Sequence, residues 1–192
     1  VKLTGDIAVD TEAMGLVNRR DRLCLVQLSA GDGNAHLVQF APGEYAAPNL
    51  KKLLTDPHTT KIFHFARFDV SIMRLYLGVV TQPIYCTRTA SRLVRTFTDR
   101  HGLKDLCREL LGKDISKQQQ SSDWGAADLT QEQKEYAASD VLYLHQLRAA
   151  LDVMLQREDR QEIAKACFSF IPWRALLDLA GWEETDIFAH QA

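Results

Sequence analysis

The sequence predicts an α/β protein with a mixed central sheet flanked by helices and a helical C-terminal tail. Three observations carry this expectation. Through the first half, apolar runs of strand length alternate with amphipathic helical segments. Two of those runs are joined by Gly31-Asp32-Gly33-Asn34, a turn-rich linker that suggests a hairpin and so an antiparallel pair. From about residue 87 onward the spacing is mostly helical, so strands come first and helices later. A chain of 192 residues is expected to form one domain with a substantial core.

Residues 6–11 read as a buried strand, and residues 22–30 and 35–40 as the hairpin. Pro48 and Asn49 open a short helix over 48–55, with Leu50, Leu53 and Leu54 on one face. Residues 61–65 form a short strand. An amphipathic helix over 67–77 follows, ended by Gly78. Residues 84–86 form the last strand. A helix over 87–97 places Arg88, Arg92 and Arg95 on one face. Another covers 103–111 and is closed by Gly112. Residues 113–129 lack periodicity and read as a polar loop. Thr130 with Gln133 forms a capping box that starts one long helix over 131–157. A helix near 159–168 and a Trp-rich ending make a C-terminal extension from about residue 158.

Bulk composition narrows the function classes. Hydrophobic residues make up 46% and charged residues 25%, ordinary for a soluble globular protein. The net charge of −2 excludes a generic duplex binder with a large basic footprint, but leaves room for a local basic patch. Cys24, Cys86, Cys107 and Cys167 are scattered with no CxxC, so they are expected to be reduced thiols of a cytoplasmic protein. No apolar run reaches the length of a membrane span, and no signal peptide is visible.

The chemistry is concentrated in a few acids. In Ile7-Ala8-Val9-Asp10-Thr11-Glu12 an apolar strand ends in two carboxylates at i and i+2, which point to one face. Two like charges so close repel unless a cation lies between them. Asp69 stands at the start of a helix, where the helix dipole alone would favour an acid. Tyr136 and Asp140 are i and i+4 within a helix, and the neighbouring Val141, Leu142 and Leu144 are apolar. An acid beside a core face is costly unless it is paired or ligates a metal, and a Tyr–Asp hydrogen bond would also satisfy it.

Taken in order, these residues read D-x-E, then D, then Y-x3-D, within IAVDTEAMG, KIFHFARFD and SDWGAADLTQEQKEYAASDVLYL. The pattern resembles the DEDD 3′–5′ exonucleases, in the subclass with tyrosine in the third motif, and the local sequences look like ribonuclease D motifs. The wider chain, including RDRLCLVQLS, TDRHGLK, ISKQQQSSDW and GWEETDIFAH, is similar to the small ribonuclease D-like enzymes of alphaproteobacteria, the nano-RNase C family. The resemblance implies a ribonuclease H-like exonuclease fold over residues 1–192, without the further helical domains of ribonuclease D. It also implies degradation of very short single-stranded RNA from the 3′ end, dinucleotides included, and a ring-shaped homo-oligomer, an octamer.

By the same resemblance, Asp10, Glu12, Asp69 and Asp140 are the metal ligands and, with Tyr136, the catalytic set. Oxygen donors of this kind favour two Mg²⁺ or Mn²⁺ ions. Two such ions about 4 Å apart can hold the attacking and leaving oxygens of a phosphodiester in line. The resemblance assigns Asp10 to both ions, Glu12 and Asp140 to the one that activates water, and Asp69 to the other. Tyr136 would orient the water, and nucleoside 5′-monophosphates would be released.

Substrate contacts are read from residue type and place. Leu16, after Gly15, could wedge against a terminal base or serve as an ordinary loop leucine. His64 and Phe65 precede Asp69 and could line the site, although a satisfied strand histidine also explains His64. Trp124 could stack on a base, since stacking tolerates any sequence, or plug the core. Lys117, with Gln118 to Gln120, lies in a polar loop where a phosphate could run. Arg88, Arg92, Arg95, Arg100, His101 and Lys104 form the most basic stretch, read as a phosphate or subunit contact or a solvated face. Trp173, Trp182 and Phe188 would cover the nuclease core or an oligomer interface.

The leading expectation is therefore a metal-dependent exoribonuclease for very short RNA. A broader 3′–5′ exonuclease that trims structured RNA or digests DNA is the alternative. A catalytically silent nucleic-acid-binding scaffold would predict a lost carboxylate, and all four are present.

Overall fold

The structure is a computed structural model and describes residues 2–116 and 118–190. Strand β1 (Ile7–Ala13) lies at the centre of a five-stranded sheet. On one side it pairs antiparallel with β2 (Leu23–Ser29), which pairs antiparallel with β3 (His36–Gln39). On the other side β4 (Lys61–Phe63) runs parallel to β1, and β5 (Ile84–Cys86) runs parallel to β4. The sheet order is β3-β2-β1-β4-β5, mixed as the sequence predicts.

The hairpin forms because the apolar runs on either side of the Gly-Asp-Gly-Asn turn can pair in register, Gln27 opposite Leu37 and Leu25 opposite Gln39. Every residue of β2 is buried, so this strand is covered on both faces. Helix α1 (Pro48–Thr55) has proline in its first turn and buries Leu50 and Leu54. Helix α2 (Ala66–Leu77) ends at Gly78, whose φ of 69° supplies the left-handed C-cap.

β1 runs past the end of β4. Ile7 and Ala8 pair with Lys61 and Ile62, while the β2 ladder continues to Ala13. The missing β4 neighbour leaves space beside Asp10 and Glu12, and the first turn of α2 borders it. Residues 64 and 65 leave the predicted strand to make that turn. Phe65 adopts a left-handed backbone, with φ 67°, immediately before α2. Such a conformation is uncommon for a bulky residue.

Helix α3 (Thr87–Val94) is shorter than predicted, and the expected basic face is broken up. The chain leaves the helix at Arg95, whose side chain is only 1% exposed. Arg95 pairs with Glu109 and donates to the carbonyl of Arg100, so burial is offset by partners. His101 is also buried and shares a 2.8 Å hydrogen bond with Ser91. Helix α4 (Leu103–Leu106) runs on into a π-helical turn over Cys107–Leu111, closed by left-handed Gly112.

The single long helix expected over 131–157 is two helices, α5 (Gln131–Leu142) and α6 (Leu144–Arg157), separated at Tyr143. The capping box of Thr130 and Gln133 is present. The break lets the two halves meet different layers. α5 lies on β1 and β2, whereas α6 packs on α3, β4 and the π-helical turn. Leu144, Leu147, Leu151 and Leu155 are all buried at helical spacing. Helix α7 (Gln161–Leu179) continues well past the expected end at residue 168 and packs on α2. It buries Phe168, Ile171 and Ala175, while Trp173, Trp182 and Phe188 remain exposed. None of the described helices is long and apolar enough to cross a membrane. All four cysteines are unpaired.

Candidate active site

Strand alternation places Asp10 and Glu12 on one face of β1, and α5 covers that face with Tyr136 and Asp140 one turn apart. Carboxylate oxygens of Asp10, Glu12 and Asp140 all lie within 4.8 Å of one another. Asp69, in the first turn of α2, lines the same cleft and is 4% exposed.

These acids oppose one another's ionisation. Burial, followed by the charges of Asp69, Asp140 and Glu12, pushes Asp10 well above the carboxylate range. Burial, with Asp140 and Asp69 nearby, raises Glu12 to about 9. Asp69 and Asp140 rise to about 7, in both cases mainly through burial. Each of these two has a donor that opposes the shift. The Thr11 hydroxyl donates to Asp69 Oδ1 at 2.6 Å, and Tyr136 hydrogen-bonds Asp140. Tyr136 is itself raised above the ordinary phenol value by burial and then by Asp140, Glu12 and Asp10. Its phenol therefore stays protonated near neutral pH.

Partly buried acids held this close fit a divalent cation. A doubly charged ion would replace mutual repulsion with attraction, and an all-oxygen donor set suits Mg²⁺ or Mn²⁺.

The cleft has a volume of about 770 Å³, with the acids at its floor. Leu16 lines its rim and is 84% exposed, an apolar finger in solvent. The loop that carries it is tight. A Cβ on Gly15 would come within 2.3 Å of Asp21 Oδ2, and that carboxylate accepts from the Val17 backbone N–H. Phe65 also lines the cleft and is 43% exposed, with the Arg88 guanidinium over its ring at 4.6 Å from the centroid. His64 lines the cleft, and its Nδ1 is 2.9 Å from Thr87 Oγ1.

Trp124 is placed in the core rather than open to a base. It is 2% exposed, packs with Cys24, Leu25 and Leu129, and lies 5.9 Å from the Tyr136 ring, centroid to centroid. Its ring backs Tyr136 and one edge reaches the cleft wall. Lys117 lies outside the described residues, while Gln120 of the same loop lines the cleft. Of the basic stretch, Arg88 and Lys104 reach the cleft, and Arg95 does not.

Two further residues, Thr11 and Gln27, belong to this neighbourhood. Thr11 lies between two acids, where nothing in the sequence marks it apart from a strand-former. Gln27 is fully buried in the middle of β2 and donates from Nε2 to Asp10 Oδ2 at 3.1 Å. A lone amide inside the apolar stretch LCLVQL is the available signal.

Comparison with known proteins places this geometry. The sequence matches the 3′-5′ exonuclease family over residues 1–156. It is 36% identical over 154 residues to ribonuclease D of Granulibacter bethesdensis, covering 80% of this chain and 38% of that protein. The chain thus spans well under half the length of such curated relatives. Among solved structures it is similar to Brucella melitensis NrnC with bound Mg²⁺, with 55% identity, a TM-score of 0.94 and coverage of 98% of this chain and 92% of that one. The same Brucella protein bound to pGG superposes with a TM-score of 0.95 at 56% identity, covering 98% and 91% of the two chains.

Proposed function

From the premise that the chain belongs to the 3′-5′ exonuclease family, we propose that it is a metal-dependent 3′–5′ exoribonuclease that degrades very short RNA to nucleoside 5′-monophosphates. The observation that carries this reading is the convergence of Asp10, Glu12 and Asp140 within 4.8 Å, with Asp69 lining the same cleft. Asp10, Glu12, Asp69 and Asp140 hold two divalent cations, Mg²⁺ or Mn²⁺. When bound, such ions supply an acidified water and neutralise charge on the scissile phosphodiester.

The rest falls to the chain's own side chains. Tyr136 keeps its proton and orients the attacking water by hydrogen bonding, so it acts by position and not as a general base. Trp124 fixes the Tyr136 ring from behind. Arg88 and Lys104 bring positive charge to the cleft for backbone phosphates, and Leu16 and Phe65 present apolar surface to bases at its rim.

Substrate length follows from the cleft and from likeness. A cleft volume of about 770 Å³ is within the range of small-molecule sites and leaves room for a dinucleotide. The similar Brucella protein binds pGG. Trp173, Trp182 and Phe188, exposed on one copy, supply apolar surface for a homo-oligomeric ring. The chain works as one exonuclease unit with a C-terminal helical extension, in a reducing compartment such as the cytoplasm, in keeping with its four free thiols.

A cleavage time course tests this directly. RNAs labelled at the 5′ end, from dinucleotide to decamer, are incubated with Mn²⁺ or EDTA alongside DNA of matching sequence. Rapid metal-dependent loss of the dinucleotide, with slower loss of longer RNA, is expected. Equal or faster attack on long RNA or DNA would replace the proposal with a general 3′ exonuclease. No cleavage of any substrate would leave a binding scaffold.

A further inference from the structure

Gln27 is a polar exception in a buried strand. β2 reads Leu23-Cys24-Leu25-Val26-Gln27-Leu28-Ser29, and Gln27 is 0% exposed at its centre. Burying a primary amide costs free energy unless its hydrogen bonds are made. This amide makes only part of its set. Nε2 donates to Asp10 Oδ2 at 3.1 Å, and Oε1 has no partner among the described residues. An apolar side chain of the same size would avoid the unmet acceptor. The residue is therefore poorly explained as packing.

Its position is set by the sheet. Gln27 is the direct antiparallel partner of Asp10, and cross-strand partners point to the same face. The amide thus lies beside the carboxylate that is surrounded by Glu12, Asp69 and Asp140. Once Asp10 ligates a cation it is ionised, and only the N–H side of the amide can then face it. A neutral N–H is also the donor this site can tolerate. Lysine or arginine would cancel the charge needed for a cation, and a further acid would add to the repulsion.

We propose that Gln27 is a positioning residue for the metal site, holding Asp10 Oδ2 so that the rest of that carboxylate faces the cations. The inference rests on the two-metal reading above. Gln27 touches neither substrate nor ion. It acts on metal affinity through Asp10, in the way that hydrogen-bond partners of metal ligands commonly change affinity by about 10–100-fold.

Mn²⁺ binding to the purified chain by titration calorimetry tests this, with thermal unfolding in EDTA measured beside it. Gln27→Met keeps the volume and removes the donor. It is expected to weaken Mn²⁺ binding at least ~10-fold while the melting temperature in EDTA stays the same or rises. Gln27→Asn keeps an amide on a shorter reach and is expected to weaken binding similarly. In activity assays, both should raise the Mn²⁺ concentration for half-maximal rate more than they lower the rate at saturating metal. Wild-type-like Mn²⁺ affinity in a folded Gln27→Met would overturn the inference and leave the two-metal reading intact. So would a drop in the EDTA melting temperature with unchanged metal affinity, which would make Gln27 a packing residue. If Gln27→Met fails to fold, Gln27→Asn decides on the same readout. Wild-type protein that takes up no Mn²⁺, like Asp10→Asn, would instead overturn the two-metal reading itself.

Discussion

Thr11 and Asp69 meet across the gap where β4 stops short of β1, the hydroxyl donating to Asp69 Oδ1 at 2.6 Å. One residue of β1 thereby ties the first turn of α2 to the strand that carries Asp10 and Glu12. Thr11→Val keeps the shape and removes the donor. The expected result is a loss of about 10–100-fold in activity or metal affinity with the fold retained. Steady-state cleavage at several Mn²⁺ concentrations, with circular dichroism as the control, checks it, and unchanged activity would show that Asp69 needs no such tie.

Asp10→Asn and Asp140→Asn should each abolish Mn²⁺-dependent cleavage. Asp140→Asn removes a charge from a crowded cluster, and Asp10→Asn removes a carboxyl whose ionisation that cluster opposes, so each variant should melt no lower than wild type in EDTA at about pH 8. Full activity in either variant would remove the two-metal account. A lower melting temperature would show that the carboxylate is a stabilising partner and not part of a strained set.

The same repulsion sets a pH dependence. Asp69 and Asp140 sit near 7 and Glu12 near 9 in the fold, above the unfolded carboxylate range around 4. Between these values the folded state binds more protons than the unfolded one. Stability of the metal-free protein therefore falls as pH rises from about 4 toward 9. Metal competes with those protons, so the rise in melting temperature on adding Mn²⁺ should be larger at about pH 8 than at about pH 6. Scanning calorimetry in EDTA and in Mn²⁺ measures both. A metal effect that shrinks with rising pH would contradict the arrangement.

Tyr136→Phe should lower kcat much more than it changes KM, because the phenol is assigned to the reacting water and not to the bound strand. Trp124→Leu should weaken the same step indirectly by loosening the Tyr136 ring, and should also lower stability, since Trp124 is buried in the small cluster with Leu25 and Leu129. Single-turnover kinetics separate chemistry from binding. An unchanged kcat in Tyr136→Phe would sink its role.

The parts of this site that were legible in the sequence are those whose spacing is itself geometric. Asp10 and Glu12 at i and i+2 on a strand, and Tyr136 and Asp140 at i and i+4 on a helix, share a face wherever those elements form. The strand segments of the first half and the hairpin of β2 and β3 were legible from their apolar runs and the turn between them. What depends on distant neighbours was not. The break at Tyr143 is hidden because helical leucine spacing resumes at once, and only the layers met by α5 and α6 separate them. Arg95 looked like one of three surface arginines because its partner Glu109 lies across the following turn. Gln27 and Thr11 act through residues 17 and 58 positions away, a relation that only the folded sheet creates.

Anomalous diffraction from crystals soaked in Mn²⁺ tests the central claim most directly. The account predicts two Mn²⁺ peaks in the cleft, within bonding distance of oxygens from Asp10, Glu12, Asp69 and Asp140, and none in Asp10→Asn crystals. A fully soaked wild-type crystal with no peak among these four carboxylates, or with peaks only elsewhere, would contradict it.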